Sequence, residues 1–216
     1  MGKKRRAIVM LGLPASGKGT QAENVAAKIN AEIVGIGDLV REAISNGNFS
    51  DEIIEEIKNN YNKGIPQSDE IAGKLLEEKI NNSKGNLIFD NYPFSLKQIK
   101  FFEHLIEKYN FSEPEIIYIK IKPETPVSRI TTRLVCDKCK KIYLSGSVGD
   151  SCSSGGCNGR LIKRADDTPE IMKKRVNFAQ PRIDLVVDYY RDKAKVYEID
   201  GEKSISEVAE EINNVL

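Results

Sequence analysis

The chain has no tryptophan, and its 216 residues include one histidine, His104. A lone imidazole assigns no chemistry by itself, and its place in an amphipathic segment makes His104 a surface residue. Charge of one sign is also missing. Lys and Arg number 33 against 32 Asp and Glu, so net charge gives no case for binding nucleic acid or a membrane surface. The basic Lys3-Lys-Arg-Arg6 is short, runs straight into an apolar segment, and reads as a solvated N-terminus. No apolar run approaches membrane-spanning length, no signal peptide is visible, and Gly2 lacks the downstream Ser or Thr of a myristoylation motif. Cysteine is absent except between 136 and 157, which excludes a disulfide framework and points to a local metal site in a reducing compartment. No internal repeat or low-complexity tract occurs. A cytoplasmic protein with one α/β domain and inserted pieces is expected.

What is present centres on Gly12-Leu-Pro-Ala-Ser-Gly-Lys-Gly-Thr20. The preceding Ala7-Ile-Val-Met-Leu11 reads as a buried strand. Gln21 to Asn30 has helical spacing, with Ala22, Val25, Ala26 and Ile29 on one side. Strand, glycine-rich turn and helix form the context of a phosphate-binding loop. Gly12, Ala15, Ser16, Gly17 and Gly19 would wrap backbone N–H groups around phosphate oxygens at the helix N-terminus. Lys18 would reach the outer phosphates, and Thr20 is a candidate hydroxyl near Mg2+. A hydroxyl residue usually follows the lysine directly; here Gly19 intervenes.

Further strands are expected at 32–36, 86–90, 115–121 and 195–199, alternating with helices, so a parallel sheet with right-handed crossovers follows. A helical excursion covers about 38–67. Asn86-Leu-Ile-Phe-Asp90 ends in a carboxylate at the edge where ligands bind in open α/β sheets, making Asp90 a candidate Mg2+-shell acid; a turn-forming role is the simpler alternative. Ser95-x-x-Gln98 and Ser204-x-x-Glu207 read as capping boxes. Thr125-Pro126 reads as an N-cap opening a helix with Arg129 and Arg133 on one face. Thr168-Pro169 opens a long helix carrying Arg175, which Pro181 is expected to kink or divide.

Cys136-x2-Cys139 and Cys152-x4-Cys157 are separated by twelve residues rich in Ser, Gly and Asp, a composition that cannot build a core. Four thiolates on two knuckles suit a closed, structural tetrahedral metal, zinc or iron, with no open coordination position.

Gly-Lys-Gly-Thr-Gln together with these elements resembles the adenylate kinases of the long, zinc-bearing lid type, over the whole chain. That resemblance implies a P-loop NTPase-type parallel five-stranded sheet of order 2-3-1-4-5, flanked by helices. It also implies a core at 1–37, 68–133 and 164–216, a helical acceptor-binding insert at 38–67, and a zinc-ribbon-like lid at 134–163. It implies ATP with Mg2+, structural Zn2+, transfer to AMP, and a monomer with no nucleic-acid or membrane partner. On the donor side it assigns Lys18 and Arg133 to phosphates, Arg129 and Gly201 to adenine, Asp90 to Mg2+, and Arg164 and Arg175 to the transferring phosphate and acceptor. On the acceptor side Arg41 and Gln98 are kept. The family's Ser-Thr-Gly-Asp reads Gly35-Ile36-Gly37-Asp38, its Gly-Lys-Leu-Val reads Gly64-Ile65-Pro66-Gln67, and its Asp-Gly-Phe-Pro-Arg reads Asp90-Asn91-Tyr92-Pro93-Phe94. A hydroxyl, a lysine and an arginine are thereby replaced, so weak acceptor binding is expected, with Lys97 as one substitute cation. Two other readings stay open. One is a kinase of the same fold for CMP, UMP or dTMP; the other is a non-catalytic nucleotide sensor or zinc-ribbon nucleic-acid binder.

Overall fold

Six consecutive apolar or small residues, Ala7–Gly12, form strand β1 with all six residues buried. Only a strand covered on both faces reads this way. Ala7, Val9 and Leu11 join one core cluster, and Ile8 and Met10 join the other. In this computed structural model, which describes residues 4–46, 49–63, 65–164 and 167–216, β1 is the centre of a five-stranded parallel sheet. Lys3 of the basic N-terminus and Gly64 lie outside the described residues.

The elements in chain order are α1 (Lys18–Ile29), β2 (Ala31–Gly35), α2 (Ile36–Asn46), α3 (Asp51–Asn62), α4 (Asp69–Asn82), β3 (Asn86–Asp90), α5 (Leu96–Lys108), β4 (Glu115–Lys120) and α6 (Thr125–Thr132). There follow β5 (Leu134–Cys136), β6 (Ile142–Tyr143), β7 (Leu161–Ile162), α7 (Pro169–Tyr190), β8 (Lys195–Asp200) and α8 (Ile205–Val215). The main sheet has the order β2-β3-β1-β4-β8, the expected 2-3-1-4-5 arrangement with β8 as fifth core strand. Its register pairs Gly35 and Met10 with Asp90, Gly12 with Ile119, and Lys120 with Asp200. The C-terminal strand ends therefore form one edge, where an open α/β sheet binds ligands.

Several local expectations change. Ile36 already belongs to α2 rather than to the preceding strand. Thr125 does not cap α6: Glu124 is the N-cap, and the Thr125 hydroxyl donates to Glu202 Oε1 at 2.7 Å. α6 ends at Thr132, so Arg133 follows the helix in extended conformation. Pro181 leaves α7 continuous over 22 residues. Burial of Val176, Ala179, Ile183, Val186 and Val187 explains this, because their combined packing exceeds the roughly 3 kcal/mol cost of an interior proline. The box at Ser204 is complete, whereas at Ser95 only half forms. Ser95 Oγ accepts from Gln98 N, but Gln98 Oε1 accepts from Phe94 N instead.

The segment between α6 and α7 forms its own three-stranded antiparallel sheet, β6-β5-β7. Its apolar cluster is only Leu134, Cys136, Cys152 and Leu161, flanked by Tyr143 and Cys157. So small a core needs a metal or covalent staple.

Candidate active site

The turn between β1 and α1 is shaped by left-handed residues at Ala15 (φ 59°) and Gly17 (φ 90°). Left-handed residues in such a turn aim successive N–H groups into one concavity, a nest for anions. Gly17 pays no Cβ penalty there; Ala15 does. Ser16 is buried, and among the described residues its Oγ has no hydrogen-bond partner. An unsatisfied hydroxyl beside a nest of N–H groups suits a phosphate ligand.

Ala15, Ser16, Gly17 and Thr20 border a cavity of about 820 Å³, lined also by Arg129, Arg133, Gly201 and Ile205, by Ile142 of β6 and by Leu144 just beyond that strand. Arg129 donates to Ala15 O at 3.1 Å and to Gly201 O at 2.7 Å, so it bridges the loop and the β8–α8 turn. Glu202 Oε2 lies 3.8 Å from Arg129. The Lys122 N–H, donating at 2.8 Å, and the Thr125 hydroxyl lower the Glu202 pKa, so it stays an anion beside Arg129. A Cβ on Gly201 would lie 2.6 Å and 2.8 Å from the Ile119 and Ile121 methyls, so packing alone requires glycine. Arg133 pairs bidentately with Asp167, Nε donating to Oδ2 at 2.9 Å. Both side chains of this pair are nearly inaccessible.

Lys18 forms an ion pair with Asp90. Asn91, also left-handed at φ 50°, brackets the Gly12 peptide: its Oδ1 accepts from Gly12 N and its Nδ2 donates to Gly12 O, both at 3.2 Å. These contacts join the phosphate loop to β3, beyond which lies a second cavity of about 870 Å³. It is lined by Ile36, Gly37, Gln67, Asn91, Phe94, Gln98 and Arg175, seven of the nine residues expected to hold an acceptor. The other two, Arg41 and Arg164, do not line it. Arg41 pairs with Asp38 on the exposed face of α2, and Arg164 is exposed and lines neither cavity. Lys97 is exposed and outside the cavity. Gln98 is already engaged, with Nε2 donating to Asp69 Oδ1 at 2.6 Å and Oε1 accepting from Phe94 N at 2.7 Å. Gln67 bonds Asn60 and the Ile57 carbonyl, both at 3.2 Å. Tyr92 lines the cavity; burial, with Asp69 adding to it, raises its phenol pKa far above the ordinary value and keeps it neutral.

Sequence reasoning missed Tyr61, Asp69, Phe178 and Arg182 in this cavity, and Ile142, Leu144 and Ile205 in the first. Arg175, Phe178 and Arg182 at i, i+3 and i+7 carried a signal of a shared helix face, in which the kink or division expected at Pro181 hid the place of Arg182.

The four cysteines converge as expected, with all sulfurs within 4.8 Å of one another. Cys136 and Cys157 Sγ are 3.6 Å apart, as are Cys139 and Cys152 Sγ. A disulfide needs about 2.05 Å, whereas tetrahedral zinc with Zn–S near 2.3 Å needs about 3.8 Å between sulfurs. The residues therefore fit a metal. Tyr143 Oη lies 3.1 Å from Cys152 Sγ, and this contact, with help from a backbone hydrogen bond, lowers the thiol pKa to about 6. Lys138 N and Cys139 N each donate to Cys136 Sγ at 3.4 Å. A Cβ at Gly159 would collide with the Cys136 sulfur.

A family model described as adenylate kinase matches residues 10–195. An adenylate kinase of Fervidobacterium nodosum is 33% identical over 215 residues, covering 97% of this chain and 96% of the relative. One from Dehalococcoides mccartyi is 34% identical over 210 residues, 95% of each. One from Listeria monocytogenes is 28% identical over 215 residues, covering 97% and 98%. With the strand order, the phosphate loop and the two cavities all in agreement, this chain belongs to the adenylate kinase family.

Proposed function

We propose that this chain transfers the γ-phosphoryl group of ATP to a nucleoside monophosphate, with AMP as the acceptor. The observation that carries this reading is the pairing of two nucleotide-sized cavities along one sheet edge, about 820 and 870 Å³, joined through the Lys18–Asp90 and Gly12–Asn91 contacts. The family relationship supports the same reaction. The nest at 15–17 and Lys18 hold the donor phosphates, and Arg129 and Gly201 border the base. The oxygen between the β- and γ-phosphorus atoms leaves as an acceptor phosphate oxygen bonds the γ-phosphorus in line. The attacking oxygen is already anionic, so no general base is needed. Arg175 neutralises charge in the transition state, and Arg133 does so on exchanging its Asp167 partner for phosphate oxygens. Arg164 joins them when the segment 134–163 closes as a lid over the donor, excluding water. Asp90 and Thr20 would hold Mg2+, which when bound supplies charge neutralisation of the phosphates. Cys136, Cys139, Cys152 and Cys157 would hold structural Zn2+, giving the lid the folding energy its small core lacks. Residues 38–67 act as the acceptor insert, and the protein works as a cytoplasmic monomer.

A second reading, transfer to CMP, UMP or dTMP, is supported by Gln98. Its amide already bonds Asp69 and Phe94, which leaves one N–H and one lone pair, and fixes its orientation, for reading a base. Initial rates with ATP–Mg2+ and a panel of AMP, CMP, UMP and dTMP test both. The highest kcat/KM with AMP is expected; a preference for a pyrimidine selects the second reading, and no turnover with any of the four rejects both.

A further inference from the structure

The second cavity contains a cation that neither the phosphate loop nor the expected acceptor residues explain. Arg182 lines it from α7, on the same helix face as Arg175 and Phe178. Asp69 is the cavity's acidic residue, and its carboxylate already accepts from Gln98 and Ser95. Arg182 is half-buried and has no carboxylate partner among the described residues. Its guanidinium carbon stands 3.7 Å over the Phe178 ring, and one Nη donates to the Phe178 carbonyl at 2.8 Å. The remaining N–H groups, on Nε and the other Nη, have no protein acceptor among the described residues.

The ring and the carbonyl of Phe178 fix the guanidinium plane while leaving part of its fork open. An arginine held in this way loses little side-chain entropy when it grips an oxyanion. An unpaired guanidinium facing a cavity would otherwise face only solvent, and its fork matches phosphate geometry.

We infer that Arg182 binds the phosphate of the acceptor monophosphate, supplying from α7 the charge that Phe94, which lines the same cavity, does not. This assignment rests on the phosphoryl-transfer reading above. It specifies that the acceptor is held by its phosphate from the α7 side, with Phe94 and Phe178 as uncharged walls.

The test uses full-length protein and whichever monophosphate of the panel gives the highest kcat/KM. Arg182→Met keeps the apolar stem and removes the fork. The monophosphate KM is expected to rise about ten- to a hundredfold, the loss of one charge-assisted contact, with the ATP KM unchanged. Arg182→Lys should fall between. Inhibition by the matching nucleoside, which lacks the phosphate, should be unaltered by Arg182→Met. Adding Phe94→Arg to Arg182→Met should recover part of the loss. An unchanged monophosphate KM in Arg182→Met overturns the assignment. So does equal weakening of monophosphate and nucleoside, which makes Arg182 a prop for the wall. A wild-type protein that turns over no monophosphate and binds none by calorimetry overturns the assignment and the functional reading together. Turnover by wild type with an indifferent Arg182→Met overturns the assignment alone.

Discussion

The side chain of Asn91 pairs with the peptide of Gly12 as a strand would, accepting from its N–H and donating to its carbonyl. This amide extends the β1–β3 ladder by one rung beyond Met10, whose carbonyl accepts from Asn91 N at 2.9 Å. The phosphate loop therefore begins from a braced strand end. The left-handed backbone that aims the amide is one that Asn tolerates better than most side chains.

Asn91→Gly keeps that backbone and deletes only the bracket. A loss of about 1–2 kcal/mol in urea denaturation is expected for two neutral hydrogen bonds, together with a raised KM for ATP. Asn91→Ala should cost about 1 kcal/mol more, because alanine is strained at positive φ. If Asn91→Gly is as stable as wild type, the bracket contributes nothing.

Ala15 carries a Cβ at φ 59°, in the left-handed region that favours glycine. Relief of about 1–2 kcal/mol of strain, less about 0.5–1 kcal/mol for the greater freedom of glycine in the unfolded chain, leaves Ala15→Gly modestly stabilising. A denaturation midpoint that moves downward would mean that the Arg129 contact to the Ala15 carbonyl compensates the strain only for alanine.

Lys18→Met should lower kcat by about 10²–10³-fold or more, as expected for removing a cation aimed at developing charge. Circular dichroism should report a native fold, since the Lys18 ammonium meets Asp90 at the sheet edge rather than the core. Wild-type turnover in a folded Lys18→Met protein removes the phosphate loop from the mechanism.

Metal analysis should find one zinc per chain. Chelation should lower the melting temperature of the segment 134–163 while the five-stranded core, with its two apolar clusters, stays folded. Tyr143→Phe, which deletes the hydroxyl beside the Cys152 sulfur, should weaken zinc binding by about tenfold or more in a competition titration. Four freely titratable thiols in the native protein, with no bound zinc or iron, would rule the site out.

The parallel core was legible because buried parallel strands are apolar throughout and because Gly12 to Thr20 has few structural uses other than holding phosphate. The four cysteines were legible by spacing alone, since two short knuckles limit where thiolates can meet. The second cavity was only partly legible. Ile36, Gly37, Asn91 and Phe94 lie near the edge of the sheet in chain order, but Phe178 and Arg182 reach the same cavity from a helix some 80 residues later. Their arrival depends on α7 remaining one helix through Pro181, which the burial of its apolar face decides and no local propensity encodes. Gln98 shows the same limit. Its position is set by the turn after β3, but its amide donates to Asp69, a partner 29 residues away that only the packed structure brings within 2.6 Å. The amino-acid sequence by itself determined the sheet, the phosphate loop and the cysteine knuckles, because each is dictated by contiguous residues. The tertiary structure decided which charges line the second cavity, because that depends on how separate elements pack.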